Sequence, residues 1–522
     1  MDWLDYTIVA LYSVGFLILG MIFNKKSSKE EYYLGGKSFG WFPLSLSVMA
    51  TQLSAISFIS APAFTGIRKG GGLQWLSYEF GVPLAMIFLG VYLIPKLYKS
   101  GVVSIYEYLE KRFDRSTRVL ISIVFQISRS FGTGVMIYAV ALILMSVLGI
   151  PFYQTILIIG IITIIYSYQG GMRAVVYGDM IQMIILFGGI VIILITGLNY
   201  VGGFESFKAN VDPARLNAVN FSDFGIGDSN DFGFFPMVIG GFFLYASYYG
   251  TDQSQVQRLL SAKSVKTAQN TLLVNGLLRF PVTLTYSIMG LIIGTFAMKT
   301  PEFLSMIPDD KPDMMIPVYI RDYLPHGLIG LLIVAILSAA MSSLSSTINS
   351  LSAVTTEDIL VAGKKVSEKT YVRYSKLTSI FWGIVTIILA FFTGDIAKTV
   401  IEAINKIGSV FYGPILATFI IATMFKYVKA RPMNIGLLAG VLTNVFLWLV
   451  VGDQLFWFWW NFTGAFVTFT IALLMQHFVE PEKATETTEI SEKYVFWTKT
   501  TIILLLQFIA IILISMSLKK IL

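Results

Sequence analysis

Hydroxyl side chains crowd one short stretch of the 522-residue chain, Ser338-Ala-Ala-Met-Ser-Ser-Leu-Ser-Ser-Thr-Ile-Asn-Ser350, which follows directly on the apolar run 327–337. A hydroxyl in hydrocarbon costs free energy unless it finds a partner. At helical spacing Ser342, Ser345, Ser346 and Asn349 share one stripe, and Ser343, Thr347 and Ser350 line its neighbour. Such a wall can serve close helix packing, with each Ser bonding back to its own helix. Alternatively, its oxygens can ligate a hard alkali cation. Asp179, in Tyr177-Gly-Asp-Met-Ile-Gln, adds a carboxylate at membrane depth or at its inner edge. Glu79 is either a hydrogen-bond acceptor for a polyhydroxyl solute or an interfacial charge. Arg129 and Arg279 each need an anion, from a solute carboxylate or from Asp or Glu on a neighbouring helix. Glu402 and Lys406, four residues apart, are expected to satisfy each other. Tyr245, Tyr248 and Tyr249 form either a gate or ordinary packing.

These side chains must be held by membrane-spanning helices. The sequence is 55% hydrophobic and 13% charged, with a mean hydropathy of +0.73, which places it among polytopic membrane proteins. Fourteen apolar runs of spanning length are legible, from 6–24 to 498–517. Basic residues concentrate in alternate loops, as in Lys25, Lys26 and Lys29, then Lys111, Arg112, Arg115 and Arg118, then Lys364, Lys365, Lys369 and Arg373. The pattern predicts both termini outside a cell (plasma) membrane. It also accounts for the net charge of +7, so nucleic-acid binding gains no support. With no Cys, and with His326 and His477 as the two histidines, thiolate chemistry is excluded and zinc or haem enzymology disfavoured. The start Met-Asp-Trp-Leu-Asp has no basic n-region, so the first run is expected to be a retained span. The chain offers no loop long enough for a signalling domain, which disfavours a solute sensor.

Two spans combine apolar length with interruptions. One is 45–63, polar at its centre and broken by Pro62; the other is 240–252, punctuated by glycines. Five spans apart, they point in opposite directions, the pattern of a five-plus-five inverted repeat with a broken helix in each half. The expected organisation is one extra helix in 1–30, repeats at 31–203 and 204–426, and three further helices in 427–522.

Three motifs resemble the sodium:solute symporter family: Gly170-Gly-Met-Arg-Ala-Val-Val-Tyr-Gly-Asp179, Tyr249-Gly-Thr-Asp-Gln-Ser-Gln-Val-Gln-Arg258 and Ser342-Ser-Leu-Ser-Ser-Thr-Ile-Asn-Ser350. The resemblance implies an all-α, leucine-transporter-like membrane fold, no enzymatic activity, no organic cofactor, and sodium as the coupling ion. It implies a common sodium site at Ala50, Leu53, Ala339, Ser342 and Ser343, and a second at Asp179, Ser345 and Ser346, so one or two ions. Its substrate cavity maps to Gln52, Ser54, Ser57, Glu79, Tyr245, Tyr248, Arg279 and Asn405, with Arg129 one turn before Gly132, where sialic acid transporters carry an arginine. A small organic solute, expected to be a sugar or sugar acid such as sialic acid, with a monocarboxylate or vitamin as alternative, would be imported by alternating access. The protein would act as a monomer in the bilayer.

Overall fold

The computed structural model describes residues 1–23, 29–53, 55–227, 232–392, 399–480 and 496–522. The side chains of 16, 17, 19–23, 29, 30, 32, 166–171 and 342 also lie outside the described set. The described elements are helical, with isolated bridges at Phe39–Ala262 and Ile226–Leu455. Nine described helices are long and apolar enough to cross a membrane, and Trp41–Gln52 with Ala55–Gly66 forms one further, bent span. The shorter apolar helix Phe152–Ile165 and the helices Trp3–Phe23, Phe234–Thr251 and Trp459–Phe478 occupy the other expected runs. Together they account for the fourteen apolar segments. Two of those segments lie in one 50-residue helix, Phe152–Val201, about 75 Å of rise and too long for a single crossing.

The bend in the second span is a true break. Leu53 leaves helical geometry (φ −83°, ψ 76°) while its N–H still bonds Met49 O at 2.7 Å, and the two halves meet at 57°. The second half, Ala55–Gly66, packs backbone to backbone on the Val265–Lys299 helix. A Cβ built on Gly294 would stand 2.5 Å from Gly66 O and 2.6 Å from Gly66 Cα. Neither neighbour is a flexible side chain, so a substituent must push the helices apart. Gly294→Leu is therefore expected to cost about 1–3 kcal/mol and to lower the thermal midpoint. Gly188→Ala, with open space around its Cβ, is the control expected to leave it unchanged; a Gly294→Leu midpoint equal to the parent's would show that the two helices can part freely.

The second interruption differs from its sequence expectation. Gly240, Gly241 and Gly250 lie inside an unbroken helix, and the chain breaks at Asp252 (φ −91°, ψ 121°), whose carboxylate caps Ser254 N at 2.8 Å at the start of Gln253–Leu260. Gly240 and Gly241 instead admit the backbone and ring of Phe458 and, for Gly241, the backbone of Gly81. Small residues here serve close approach rather than unwinding.

Candidate functional site

The hydroxyl run divides its tasks along the Leu328–Val354 helix. Ser338, Thr347 and Ser350 bond back to Val334 O, Ser343 O and Ser346 O at 2.6–2.9 Å, the packing role. Ser343 is different. Its hydroxyl donates across to the broken helix, 3.3 Å from Thr51 O and 3.5 Å from Ala50 O. Ala339, one turn earlier, and Ala50 and Leu53 at the break are buried against the same junction. Carbonyls freed by the break, together with a neutral hydroxyl, form the donor set that suits an alkali cation. The side chain of Ser342, expected here, lies outside the described residues.

Asp179, expected as a second ligand centre, is 1% exposed. Its Oδ2 accepts from Ser47 Oγ at 2.5 Å and from Arg258 Nη2 at 2.8 Å. Arg258 also donates from Nε to Ser47 Oγ at 2.8 Å, from Nη2 to Ser346 Oγ, and from Nη1 to Ser254 O. Ser345 lies one residue before Ser346, 1% exposed. Ser47 and Arg258 were not among the expected site residues. The available signal was that Arg258 closes a motif rich in polar residues that already contains Asp252.

Beside the break lies a cavity of about 70 Å³. Gln52, Ser57, Arg129, Tyr248, Arg279 and Asn405, all expected, line it, together with Trp75, Tyr78, Tyr286 and Tyr412, which were not singled out as site residues. Ser54, also expected there, lies outside the described residues. Glu79 and Tyr245 stand behind Arg279 rather than on the wall. Glu79 is saturated: Oε1 accepts from Arg279 Nη2 at 2.7 Å and Thr283 at 2.8 Å, and Oε2 from Arg279 Nε at 3.2 Å and Tyr245 at 3.4 Å. Asn405 Oδ1 accepts from Tyr78 at 2.5 Å, and its amide donates to Ile401 O at 2.7 Å. Tyr249 donates to Gln52 Oε1.

The two arginines keep unused donors. Arg129 pairs through Nε with Asp252 and lies 4.8 Å from the Tyr248 ring centroid. Arg129 Nη2 and Arg279 Nη1 are buried with no hydrogen-bond partner among the described residues. Both guanidiniums thus found a carboxylate on a neighbouring helix, yet each still has a donor to offer. Gly132, one turn beyond Arg129, has only Ile404 near its Cβ position, at 3.8 Å.

Glu402 and Lys406 do not satisfy each other. Arg68 forks onto Glu402 (Nε–Oε2 3.2 Å, Nη2–Oε1 2.5 Å), and Lys406 approaches Asp453 at 3.8 Å. A buried bidentate pair outweighs an i,i+4 contact worth about 0.2–0.5 kcal/mol. Arg68–Glu402 ties the loop after the broken helix to the start of Val400–Met424. Beside it, on the loop helix 312–314, Asp313 accepts from Val400 N at 2.9 Å. Burial pushes its carboxyl up to about 6 despite hydrogen bonds that lower it. A folded-state value above the unfolded one, about 3.9, means the folded state holds the proton longer. Its contribution to stability is complete below about pH 4 and lost as pH rises through about 6. Thermal midpoints should accordingly fall between about pH 4 and 6, with a shallower fall in Asp313→Asn; parallel profiles for the two would contradict this.

A broken helix facing a hydroxyl-bearing helix, with a polar cavity beside the junction, is the arrangement expected of a cation-coupled transporter of leucine-transporter-like fold. The chain belongs to the sodium:solute symporter family, whose sequence profile matches residues 32–443. It is 30% identical over 464 residues to the mouse sodium-coupled monocarboxylate transporter 2, covering 87% of this chain and 73% of that one. It is 28% identical over 460 residues to the human sodium/iodide cotransporter, covering 87% and 70%. A solved Na+-coupled sialic acid symporter, substrate-bound and outward-open, superposes with a TM-score of 0.78 at 26% identity, over 91% of this chain and 98% of that one. The protein is a sodium-coupled multi-pass membrane transporter of solutes and not an enzyme.

Proposed function

We propose that this symporter imports a small organic acid, with sodium bound by Ala50, Leu53, Ala339, Ser342 and Ser343 and the carboxylate received by Arg129 and Arg279. The observation that carries this is the pair of buried, unpartnered guanidinium nitrogens on arginines lining the cavity. An unmatched buried donor costs about 1–3 kcal/mol, which an arriving carboxylate recovers. Each arginine is already neutralised by Asp252 or Glu79. A bound acid anion therefore leaves the region one negative charge out of balance, and sodium binding at the adjacent junction restores it.

A neutral sugar, also expected from the sequence, is served less well. Glu79 and Asn405, the natural hydroxyl partners, are engaged within the protein. The cavity is also far smaller than the ~300–1,000 Å³ that holds drug-sized ligands. A sugar acid is the second reading, favoured by the likeness to the sialic acid symporter; it requires the cavity to widen in an outward-open state. The alternating basic loops favour both termini outside the cell membrane, and the repeats are assigned to 31–203 and 204–426, acting within a monomer.

Thermal stabilisation of the purified protein tests the choice of solute. Pyruvate at 100 times its Kd should stabilise by about 2.7 kcal/mol in sodium buffer and much less in potassium buffer. Glucose should do neither; stabilisation by glucose alone would overturn the acid assignment.

A further inference from the structure

We infer that a groove away from the substrate cavity, between the third span and the last helix, seats one anionic phospholipid. The groove has a volume of about 420 Å³, within the ~300–1,000 Å³ typical of ligand pockets. Three spanning segments wall it: Leu73–Lys99, Val265–Lys299 and Lys499–Ile521. Gln269 Nε2 ties the first two, donating to Gly90 O at 2.9 Å. The lining is sorted along the helices. Met86, Ile87, Leu273 and Leu504 form the apolar end. The walls close there, since a Cβ on Gly276 would stand 2.5 Å from Leu504 Cδ2 and 3.3 Å from Met86 Cγ. Lys99, Lys266, Thr498 and Thr500 form the other end, and both lysines are exposed.

Length and charge together select the occupant. From Met86 to Lys99 the third span rises about 20 Å, more than half of the ~30 Å hydrocarbon core. A molecule that fills the groove must therefore carry an apolar tail along one leaflet and a polar head at the basic end. The segments 82–99, 265–299 and 499–521 contain no Asp or Glu, so the lining supplies two ammonium groups and no carboxylate. A phosphodiester headgroup provides the opposite charge, and the threonine hydroxyls can donate to its oxygens. In the orientation proposed above, this end of all three helices lies on the inner membrane face, the leaflet whose anionic lipids attract basic residues.

The test is native mass spectrometry of the purified full-length protein titrated with phosphatidylglycerol or phosphatidylcholine. The first phosphatidylglycerol should bind about 30-fold more tightly than phosphatidylcholine, from about 1 kcal/mol for each of two lysines. Lys99→Gln/Lys266→Gln should remove that preference. Lys519→Gln/Lys520→Gln, the same loss of charge at the far end of the last helix, should keep it. Gly90→Leu, at a position whose Cβ would meet Leu272 Cδ1 at 3.9 Å, fills the groove without altering its charge and should also weaken phosphatidylglycerol binding. Glycerol phosphate, a headgroup without acyl chains, should not displace the lipid. An undiminished preference in Lys99→Gln/Lys266→Gln, an equal loss in Lys519→Gln/Lys520→Gln, or displacement by glycerol phosphate would overturn the inference. A lipid-free dimer that disappears in Lys99→Gln/Lys266→Gln would overturn it too, assigning the groove to a second copy of the chain.

Discussion

Replacing Arg279 by glutamine should raise the half-saturating concentration of an acid substrate by about 10- to 100-fold, the loss of one charge-assisted hydrogen bond worth about 1.5–3 kcal/mol. The single variant carries a complication. It strands Glu79, 1% exposed and fully enclosed by donors, and an unpaired buried charge destabilises by about 3–5 kcal/mol. The double variant Arg279→Gln/Glu79→Gln removes both charges. It should recover much of the thermal stability without recovering acid transport. If uptake of the acid returned with stability, Arg279 would be a structural cation only, and the carboxylate would have to be received elsewhere.

Ser343→Ala should abolish sodium stimulation of uptake at ordinary sodium concentrations, with Ser343→Thr retaining most of it. The hydroxyl reaches across to the carbonyls of Ala50 and Thr51 at the break, so it joins the two walls of the proposed sodium site. Alanine removes a ligand oxygen without adding bulk, and Ser338 and Thr347, which bond within their own helix, provide neighbouring controls. Ser338→Ala should leave the sodium dependence unchanged. Equal sodium dependence in Ser343→Ala and the parent would remove the serine from the coupling site.

Much of the architecture is written in local patterns. Hydrophobic runs and the polar centre of 45–63 are short-range signals, and the structure places helices on their described residues. What escaped was set by partners distant in sequence. The glycines of 240–250 invite an unwound segment, yet Phe458, Gly81, Leu89 and Leu93 take the space they leave, and the break falls at Asp252, which has a cap to offer. Glu402 and Lys406 have ideal helical spacing, but Arg68, 334 positions away, makes the stronger bidentate contact. Asp179 and Ser346 were legible together, whereas the guanidinium that bonds both was not, because nothing local in 249–258 says which distant carboxylate Arg258 meets. Glu79 was expected to meet solute hydroxyls; four internal donors already take its oxygens.

Radiolabelled uptake into proteoliposomes tests sodium-coupled acid import most directly. Pyruvate and glucose would each be supplied with an inward sodium gradient and, separately, with potassium replacing sodium throughout. Accumulation of pyruvate only when the sodium gradient is present, with glucose at background in both buffers, is the predicted result. Uptake of pyruvate that is identical in sodium and potassium, or sodium-driven accumulation confined to glucose, would contradict it.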